Sequence, residues 1–381
     1  MTHPSPSTEV AEPAAPDERR ASTLELFFDL VFVFAFTQVT GLLAANPTPH
    51  GLLSAVLLLM VLWWSWGAYA WLTNAVNTDF LLPRLVLLGC MGALAVVSLT
   101  APEAFGDAAV PFAVGNLLVM VLHTLLFATA GGKLNRAAIR WLSPTNMIGS
   151  LLILAAAFLP DAWRGWIWLA AVAVLYAGPF ITGVDRFSVH PGHFSERHQL
   201  IVIIAFGESI VAVGVGATAE GGVSGLELAT GLVAIALVSA MWWRYFDSEA
   251  KDGEHALVHA QGVARPRLAR DTYSYMHLPL VASIVLMAVG VKKTVGHAES
   301  HLKPLPALLL CGGAALFLLM LAAIKLRRRE RVPVSTWAGV TACLAVTPVA
   351  LYGPAIVALG ALALIYVTIV IVDMRSKYRT L

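Results

Sequence analysis

Apolar side chains fill residues 24–45, LELFFDLVFVFAFTQVTGLLAA, and only Glu25 and Asp29 in this stretch carry a charge. The stretch is long enough to cross a bilayer core as one helix, which takes about 20 apolar residues. A strand would leave its backbone hydrogen-bonding groups unsatisfied in lipid, and the stretch lacks the alternation of an outer-membrane β-barrel. The sequence therefore predicts a transmembrane helix here.

Runs of similar length recur along the whole chain. Its 381 residues are 58% hydrophobic and only 13% charged, which is more apolar surface than one soluble core can bury. We therefore predict an all-α integral membrane protein with about twelve transmembrane helices. The predicted helices cover 24–45, 51–72, 82–101, 109–130, 146–160, 164–183, 199–217, 225–246, 272–291, 304–326, 335–350 and 353–373.

The positions of Lys and Arg predict the orientation. Cytoplasmic loops collect basic residues, and a twelve-helix topology with both termini in the cytoplasm places 21 of the 25 Lys and Arg residues on the cytoplasmic side. The net charge of +2 follows from this topology and does not indicate a nucleic-acid partner. The expected partner is the lipid bilayer.

An internal repeat is predicted from two pairs of tryptophans. The Trp pair at 63–64 and the pair at 242–243 are 179 residues apart, and the same shift superposes Asp29 on Glu208. Two groups of six helices would then be parallel copies, as in transporters with internal repeats. The alternative is that Trp pairs mark the membrane interface and match by coincidence.

The runs and the repeat divide the chain into five parts. The first part is rich in Pro, Ala, Ser and acidic residues, and it lacks the basic segment and cleavage site of a signal peptide. The parts are a disordered cytoplasmic tail at 1–22, a first six-helix half at 23–183, a cytoplasmic linker loop at 184–198, a second half at 199–374 and a cytoplasmic tail at 375–381.

Three acidic residues inside the apolar runs are candidates for function. Glu25 and Asp29 are four residues apart, which places both carboxylates on one face of the helix. Glu208 lies about 13 Å inside the seventh predicted helix by the standard rise. Because an ionised side chain near the middle of a membrane helix costs about 2.5–3.5 kcal/mol, such residues need a partner, a watery cavity or a proton.

Possible partners for these acids come from the same side of the membrane. Glu196 and Arg197 precede the seventh predicted helix, and Asp271 and His277 lie near the start of the ninth. Carboxylates and histidines in such a cluster can take up and release protons. The predicted ion, proton or substrate site is therefore Asp29, Glu208, Glu25, Glu196, Arg197, His277 and Asp271, the alternative being ion pairs that only fix helix packing.

No metal site or cofactor is predicted. His190, His193 and His198 lie in the linker with irregular spacing, which favours a solvated loop over a metal site. His123 is interpreted as a packing residue, as are Cys90, Cys311 and Cys343 inside apolar runs. The chain contains no nucleotide-binding loop, nucleophile elbow or metalloprotease motif, so an enzyme is not expected.

The polar positions carry a resemblance to a known family. The segment from Leu24 to Val33, then Glu196-Arg197 and Gly207-Glu208-Ser209, resembles the bacterial low temperature requirement protein A family. The resemblance covers essentially the whole chain and implies a multi-pass protein of the bacterial cytoplasmic (inner) membrane, whose family name refers to growth in the cold. It does not supply a substrate or a reaction.

These observations favour a proton- or cation-coupled secondary transporter of a small solute. Asp29 and Glu208 would carry protons or a coupling cation near a central cavity, and the two six-helix halves would alternate access to it. The competing interpretation is a membrane stress sensor or scaffold that transports nothing. A lipid-modifying enzyme is disfavoured because a nucleophile or metal site is missing.

Overall fold

The computed structural model describes residues 20–218 and 224–379, and all regular secondary structure in these ranges is helical. Twelve long helices are α1 (Thr23–Ala45), α2 (Pro49–Ala75), α3 (Leu81–Glu103), α4 (Ala109–Ala130), α5 (Lys133–Ala156), α6 (Asp161–Ile181), α7 (Pro191–Ala217), α8 (Gly225–His259), α9 (Ala264–Gly296), α10 (Pro304–Arg327), α11 (Val334–Tyr352) and α12 (Ala355–Arg379). In the described part of the chain, 11 of them are long and apolar enough to cross a membrane, and α5 is more polar. The predicted all-α membrane fold is confirmed.

Helix α5 starts earlier than predicted. The run 146–160 forms only its second half, and Lys133, Arg136 and Arg140, which were expected in a loop, lie in its first half. These three side chains are exposed, whereas Ala138 and Ile139 between them are buried. The first half is thus amphipathic, and a search for continuous apolar runs misses a helix of this kind.

The predicted linker is also partly helical. α7 begins at Pro191, so residues 191–198 belong to a helix rather than to a loop. Proline suits the first position of a helix because its fixed φ is helical and its missing N–H would have no helical partner. His193 and His198, expected in a solvated loop, are buried in α7.

Further differences lie at the chain ends and between the eighth and ninth runs. Residues 1–19 of the predicted N-terminal tail lie outside the described residues, as do 380 and 381, but α12 continues through most of the predicted tail at 375–381. Most of 247–271, expected as a loop, extends α8 and α9. Both helices contain a π-helical turn, at Tyr245–Glu249 and Ala269–Met276.

The helices pack in the same order in the two halves. In the first half α1 contacts α2 and α3, α4 lies between α3 and α5, and α6 contacts α2 and α5. In the second half α7 contacts α8 and α9, α10 lies between α9 and α11, and α12 contacts α8 and α11. The order of neighbours is therefore the same in α1–α6 as in α7–α12, and the repeat stays a prediction.

The two halves meet mainly where α1 and α2 pack against α7 and α9. α1 and α7 run parallel from the same side of the molecule, which we call the start side. Elsewhere large apolar side chains such as Leu99, Leu232 and Leu364 are exposed, as expected for surfaces that contact lipid. Cys90, Cys311 and Cys343 are buried and unbridged, which confirms them as packing residues.

Candidate functional site: a buried polar chain between α1 and α7

Asp29 of α1 and Arg197 of α7 form an ion pair in the interior. Arg197 Nη2 donates to Asp29 Oδ1 over 2.7 Å, and the same oxygen accepts a hydrogen bond from Trp66 Nε1 at 2.9 Å. Both residues are at most 1% exposed. A guanidinium with no access to water needs a carboxylate partner, so this pair fixes α7 against α1 and α2.

Glu25 lies one turn before Asp29 and contacts His193. Its Oε2 is 2.9 Å from His193 Nε2 and 3.8 Å from Arg197 Nη1. Glu25 also completes the helix cap of α1, because Ser22 and Glu25 bond to each other's backbone N–H groups. Its other oxygen, Oε1, has no hydrogen-bond partner among the described residues.

Asn74 of α2 determines which nitrogen of His193 carries the proton. Asn74 Oδ1 accepts the backbone N–H of His190 at 3.0 Å, so its amide nitrogen must face His193 Nδ1, at 3.2 Å. The amide N–H then donates to Nδ1, and Nε2 is the protonated nitrogen that donates to Glu25. This tautomer follows from the hydrogen-bond network.

The charges of this cluster do not balance. Two carboxylates, Glu25 and Asp29, contact one guanidinium, Arg197, and a neutral His193. Within the described residues one negative charge is therefore left without a fixed cation, in a place where an unpaired charge is expensive. A single added proton on one of the two carboxylates would make the cluster neutral.

A large vestibule on the start side leads to this cluster. Its open space is about 1010 Å³, and the residues around it include Arg20, His190, Glu254 and Arg265 as well as His193. His193 itself is 1% exposed. One imidazole therefore separates the vestibule from Glu25.

Glu208 lies farther along α7 and has different partners. Thr37 Oγ1 donates to Glu208 Oε2 and Thr40 Oγ1 donates to Glu208 Oε1, each over 2.6 Å. Both threonines are on α1, so Glu208 is a second polar link between α1 and α7. The earlier start of α7 also places Glu208 deeper in its helix than the sequence indicated.

The two threonines can satisfy Glu208 with or without a proton. Thr37 Oγ1 lies 3.0 Å from the carbonyl oxygen of Val33, and Thr40 Oγ1 lies 3.0 Å from that of Thr37. When Glu208 is ionised, both hydroxyls donate to it. When it is protonated, one hydroxyl can accept from Glu208 and turn its own proton to the carbonyl.

His277 lies in a group of aromatic rings apart from the acids. Its Nδ1 donates to the carbonyl oxygen of Thr272 at 2.7 Å, so Nε2 accepts the hydroxyl of Tyr245 at 2.8 Å. Its ring centroid is 5.6 Å from that of His198. Among the described residues, no hydrogen bond or ion pair joins His277 to Glu25, Asp29 or Glu208.

Glu196 and Asp271 lie at the edge of the site. Glu196 Oε2 accepts the backbone N–H of Ala21 at 2.7 Å and so attaches the start of the chain to α7. Asp271 accepts hydrogen bonds from Arg270 at 2.7 Å and from Arg327 at 2.6 Å. The structure thus brings Glu25, Asp29 and Arg197 together and separates Glu208, His277 and Asp271 from them.

An exposed ion pair joins the start of α9 to the segment before α7. Arg267 donates from Nη2 to Asp185 Oδ2 over 2.6 Å and from Nε to Oδ1 over 2.8 Å. These hydrogen bonds hold the pKa of the Asp185 carboxyl below its usual range.

Sequence reasoning missed three members of the site. His193 was interpreted as a loop residue, and Thr37 and Thr40 were not considered. The spacing contained a usable signal, because helix positions three or four apart share a face: His193 and Arg197 form one such pair, and Thr37 and Thr40 the other. The partners across the interface, however, depend on how α1 and α7 are aligned.

Comparison with known proteins places most of the chain in one family. Residues 20–371 match the family described as "Bacterial low temperature requirement A protein". The chain belongs to this family. An uncharacterized protein of Rhizobium meliloti (strain 1021) is 29% identical over 320 residues, which cover 79% of this chain and 76% of that protein. No solved structure matches the chain.

Proposed function

We propose that this low temperature requirement A family member is a proton-coupled secondary transporter. The observation that carries the proposal is the unbalanced cluster of Glu25, Asp29, Arg197 and His193, one imidazole away from an open vestibule. A buried cluster that lacks one positive charge favours uptake of one proton, and the vestibule gives that proton a path.

Glu208 supplies a second proton-binding group farther into the membrane. Asp29 and Thr40 are 11 positions apart on α1, which is about 16 Å along the helix. The buried side chains of Phe32 and Phe36 occupy α1 between them, and Ile201 and Ala205 occupy α7. A proton bound at the cluster cannot reach Glu208 through this apolar segment unless the helices move.

Movement of one half against the other would provide that step. The acids lie on α1 and α7, the helices at which the halves meet, and the matched packing order of the halves supports a repeat. In transporters with internal repeats, sites of this kind lie between the repeats and are exposed alternately to the two sides. The fold-level comparison is an analogy, and the polar residues carry the argument.

We further propose that the start side faces the cytoplasm of the bacterial inner membrane. The distribution of Lys and Arg supports this orientation. The vestibule and His193 would then open to the cytoplasm, and protons would enter or leave the cluster there.

The test is proton flux in sealed proteoliposomes under an imposed gradient, with a panel of organic acids, amino acids, sugars and alkali cations. We expect solute-dependent flux in the unmodified chain and its loss in Glu208→Gln, because glutamine can bond to both threonines but cannot release a proton. Asp29→Asn should also abolish flux. Glu103→Gln, a change at an exposed acid, is the matched control and should leave flux unchanged.

Two results would contradict the proposal. Solute-dependent flux that persists in both Glu208→Gln and Asp29→Asn would exclude these acids as proton carriers. Absence of flux with every solute, in protein shown to be folded, would favour the sensor or scaffold interpretation.

A further inference from the structure

A second cavity lies between the first half of the molecule and the start of α9, away from the acids. Its open space is about 60 Å³, between α2, α4, α5, α6 and the π-helical turn of α9. Aromatic rings dominate its wall: Trp63, Trp64, Trp71, Phe127, Tyr275 and the imidazole of His123. A largely apolar wall with a few polar groups is typical of sites for small organic molecules.

Gly67 shows that this space is not filled by the protein. It lies on the cavity wall and is buried, yet a Cβ atom added there would meet no heavy atom within 4 Å. Interiors are normally packed to crystal density, so open space beside a buried glycine is unusual. A larger side chain at this position would extend into the cavity without displacing the protein.

The tryptophans of the wall are held in fixed orientations. Trp63 Nε1 donates to the carbonyl oxygen of Ser274 at 2.7 Å, and Trp71 Nε1 donates to Ser274 Oγ at 2.9 Å. Trp64 Nε1 donates to Asn146 Oδ1 at 3.1 Å. Because the indole N–H groups already have partners, the rings can offer a ligand only their apolar surfaces, in positions that require no reorganisation.

One charge lies on the wall, and it is positive. Among the described residues that line the cavity, Arg270 is the only one that carries a formal charge. Its carboxylate partner, Asp271, is shared with Arg327, so two guanidinium groups contact one carboxylate. The surplus positive charge favours an acidic group on the ligand.

We propose that this cavity binds an organic anion with a planar aromatic body and a single carboxylate. The rings of Trp63, Trp64 and Trp71 would contact the aromatic body, and Arg270 would contact the carboxylate. This inference concerns binding only, and it does not rest on proton-coupled transport. Failure of one proposal therefore leaves the other intact.

The test measures binding of three probes of nearly equal shape to the protein in lipid nanodiscs by calorimetry, with empty nanodiscs as the blank. The probes are 2-naphthoate, neutral 2-naphthalenemethanol and cationic 2-naphthylmethylammonium. We expect 2-naphthoate to bind at least about tenfold more tightly than the cation. Equal affinity for the three probes would overturn the proposal.

Two pairs of variants locate the binding. Gly67→Leu should fill the cavity and weaken 2-naphthoate binding at least about tenfold, whereas Gly89→Leu, at an exposed glycine that also has open space around it, should not change it. Arg270→Gln should remove the preference for the anion and keep binding of the neutral probe. Arg267→Gln, outside the cavity wall, should keep the preference. Binding unaffected by Gly67→Leu would assign the probe to lipid or another surface and contradict the proposal.

Discussion

Asp29 and Glu208 both lie on the contact between α1 and α7, but they bind different groups: Asp29 accepts from a guanidinium and an indole, and Glu208 accepts from two hydroxyls. The predicted repeat relates the two acids. Their surroundings nevertheless give them different properties, because Asp29 bonds directly to a cation, whereas the hydrogen-bond donors to Glu208 among the described residues are neutral hydroxyls that suit either protonation state.

Removing the guanidinium of the Asp29–Arg197 pair should destabilise the protein strongly. Arg197→Gln leaves the carboxylates of Glu25 and Asp29 without a cation in the interior, and we expect a loss of about 3–5 kcal/mol in the free energy of unfolding. The double variant Asp29→Leu with Arg197→Met should recover much of that loss. Reversible unfolding in mixed micelles measures the free energy of unfolding of the single and the double variant. Asp161→Asn, at an exposed ion pair, is the control. A single variant as stable as the control would contradict the prediction.

Thr40→Val should destabilise the protein through Glu208. The change leaves Glu208 Oε1 without its hydroxyl donor, and we expect a loss of about 1–3 kcal/mol. Together with Glu208→Leu the loss should be less than the sum of the two single losses, because both changes remove the same hydrogen bond. Thr341→Val, which removes an exposed hydroxyl bonded only within its own helix, should have little effect. Strict additivity would show that Thr40 and Glu208 are not coupled.

His193→Gln should slow proton flux and preserve the fold. Glutamine can replace the hydrogen bonds to Asn74 and Glu25, but unlike imidazole it cannot accept a proton at one nitrogen and release one at the other. We expect proton flux in proteoliposomes to fall at least about tenfold, and the free energy of unfolding to stay unchanged within error. His259→Gln, at an exposed histidine, is the comparison. Unchanged flux in His193→Gln would mean that protons reach Glu25 by another path.

Cysteine labelling should reveal the orientation of the chain. The three native cysteines are buried, so they should contribute little background. Gln261→Cys, between α8 and α9, should be modified by an impermeant maleimide only after the membrane is opened. Glu299→Cys, between α9 and α10, should be modified in cells whose outer membrane has been removed and whose inner membrane is intact. The reverse pattern would place the start side outside the cytoplasm.

The Asp185–Arg267 pair should contribute a little to the stability of the fold, and this contribution should be lost at acidic pH. The folded pKa of Asp185 lies below the unfolded value, so its contribution is complete above the unfolded pKa and is lost as the pH falls through the folded one. Because the pair is exposed, we expect its contribution to be small. Asp185→Asn should lower the melting temperature slightly at neutral pH and have no effect at strongly acidic pH. An equal change in melting temperature at neutral and at strongly acidic pH would exclude this ion pair as the cause.

Much of the fold could be predicted from the sequence because lipid tolerates few structures. A long apolar run such as 24–45 must satisfy its backbone internally, and a helix does this regardless of its neighbours. The same rule identified Glu25, Asp29 and Glu208 as candidates for function, since a charged side chain inside such a run needs a partner, a watery cavity or a proton. Amphipathic segments gave no such signal, and the first half of α5 was therefore predicted as a loop.

The sequence by itself determined the number and class of the helices and the polar residues that must be buried, because hydropathy and helix length depend only on local composition. Tertiary structure alone decided that Arg197 pairs with Asp29, that His193 stands between Glu25 and the vestibule, and that Thr37 and Thr40 bind Glu208. These contacts join residues far apart in the chain, so they depend on the alignment of α1 with α7, which the packing of all twelve helices fixes.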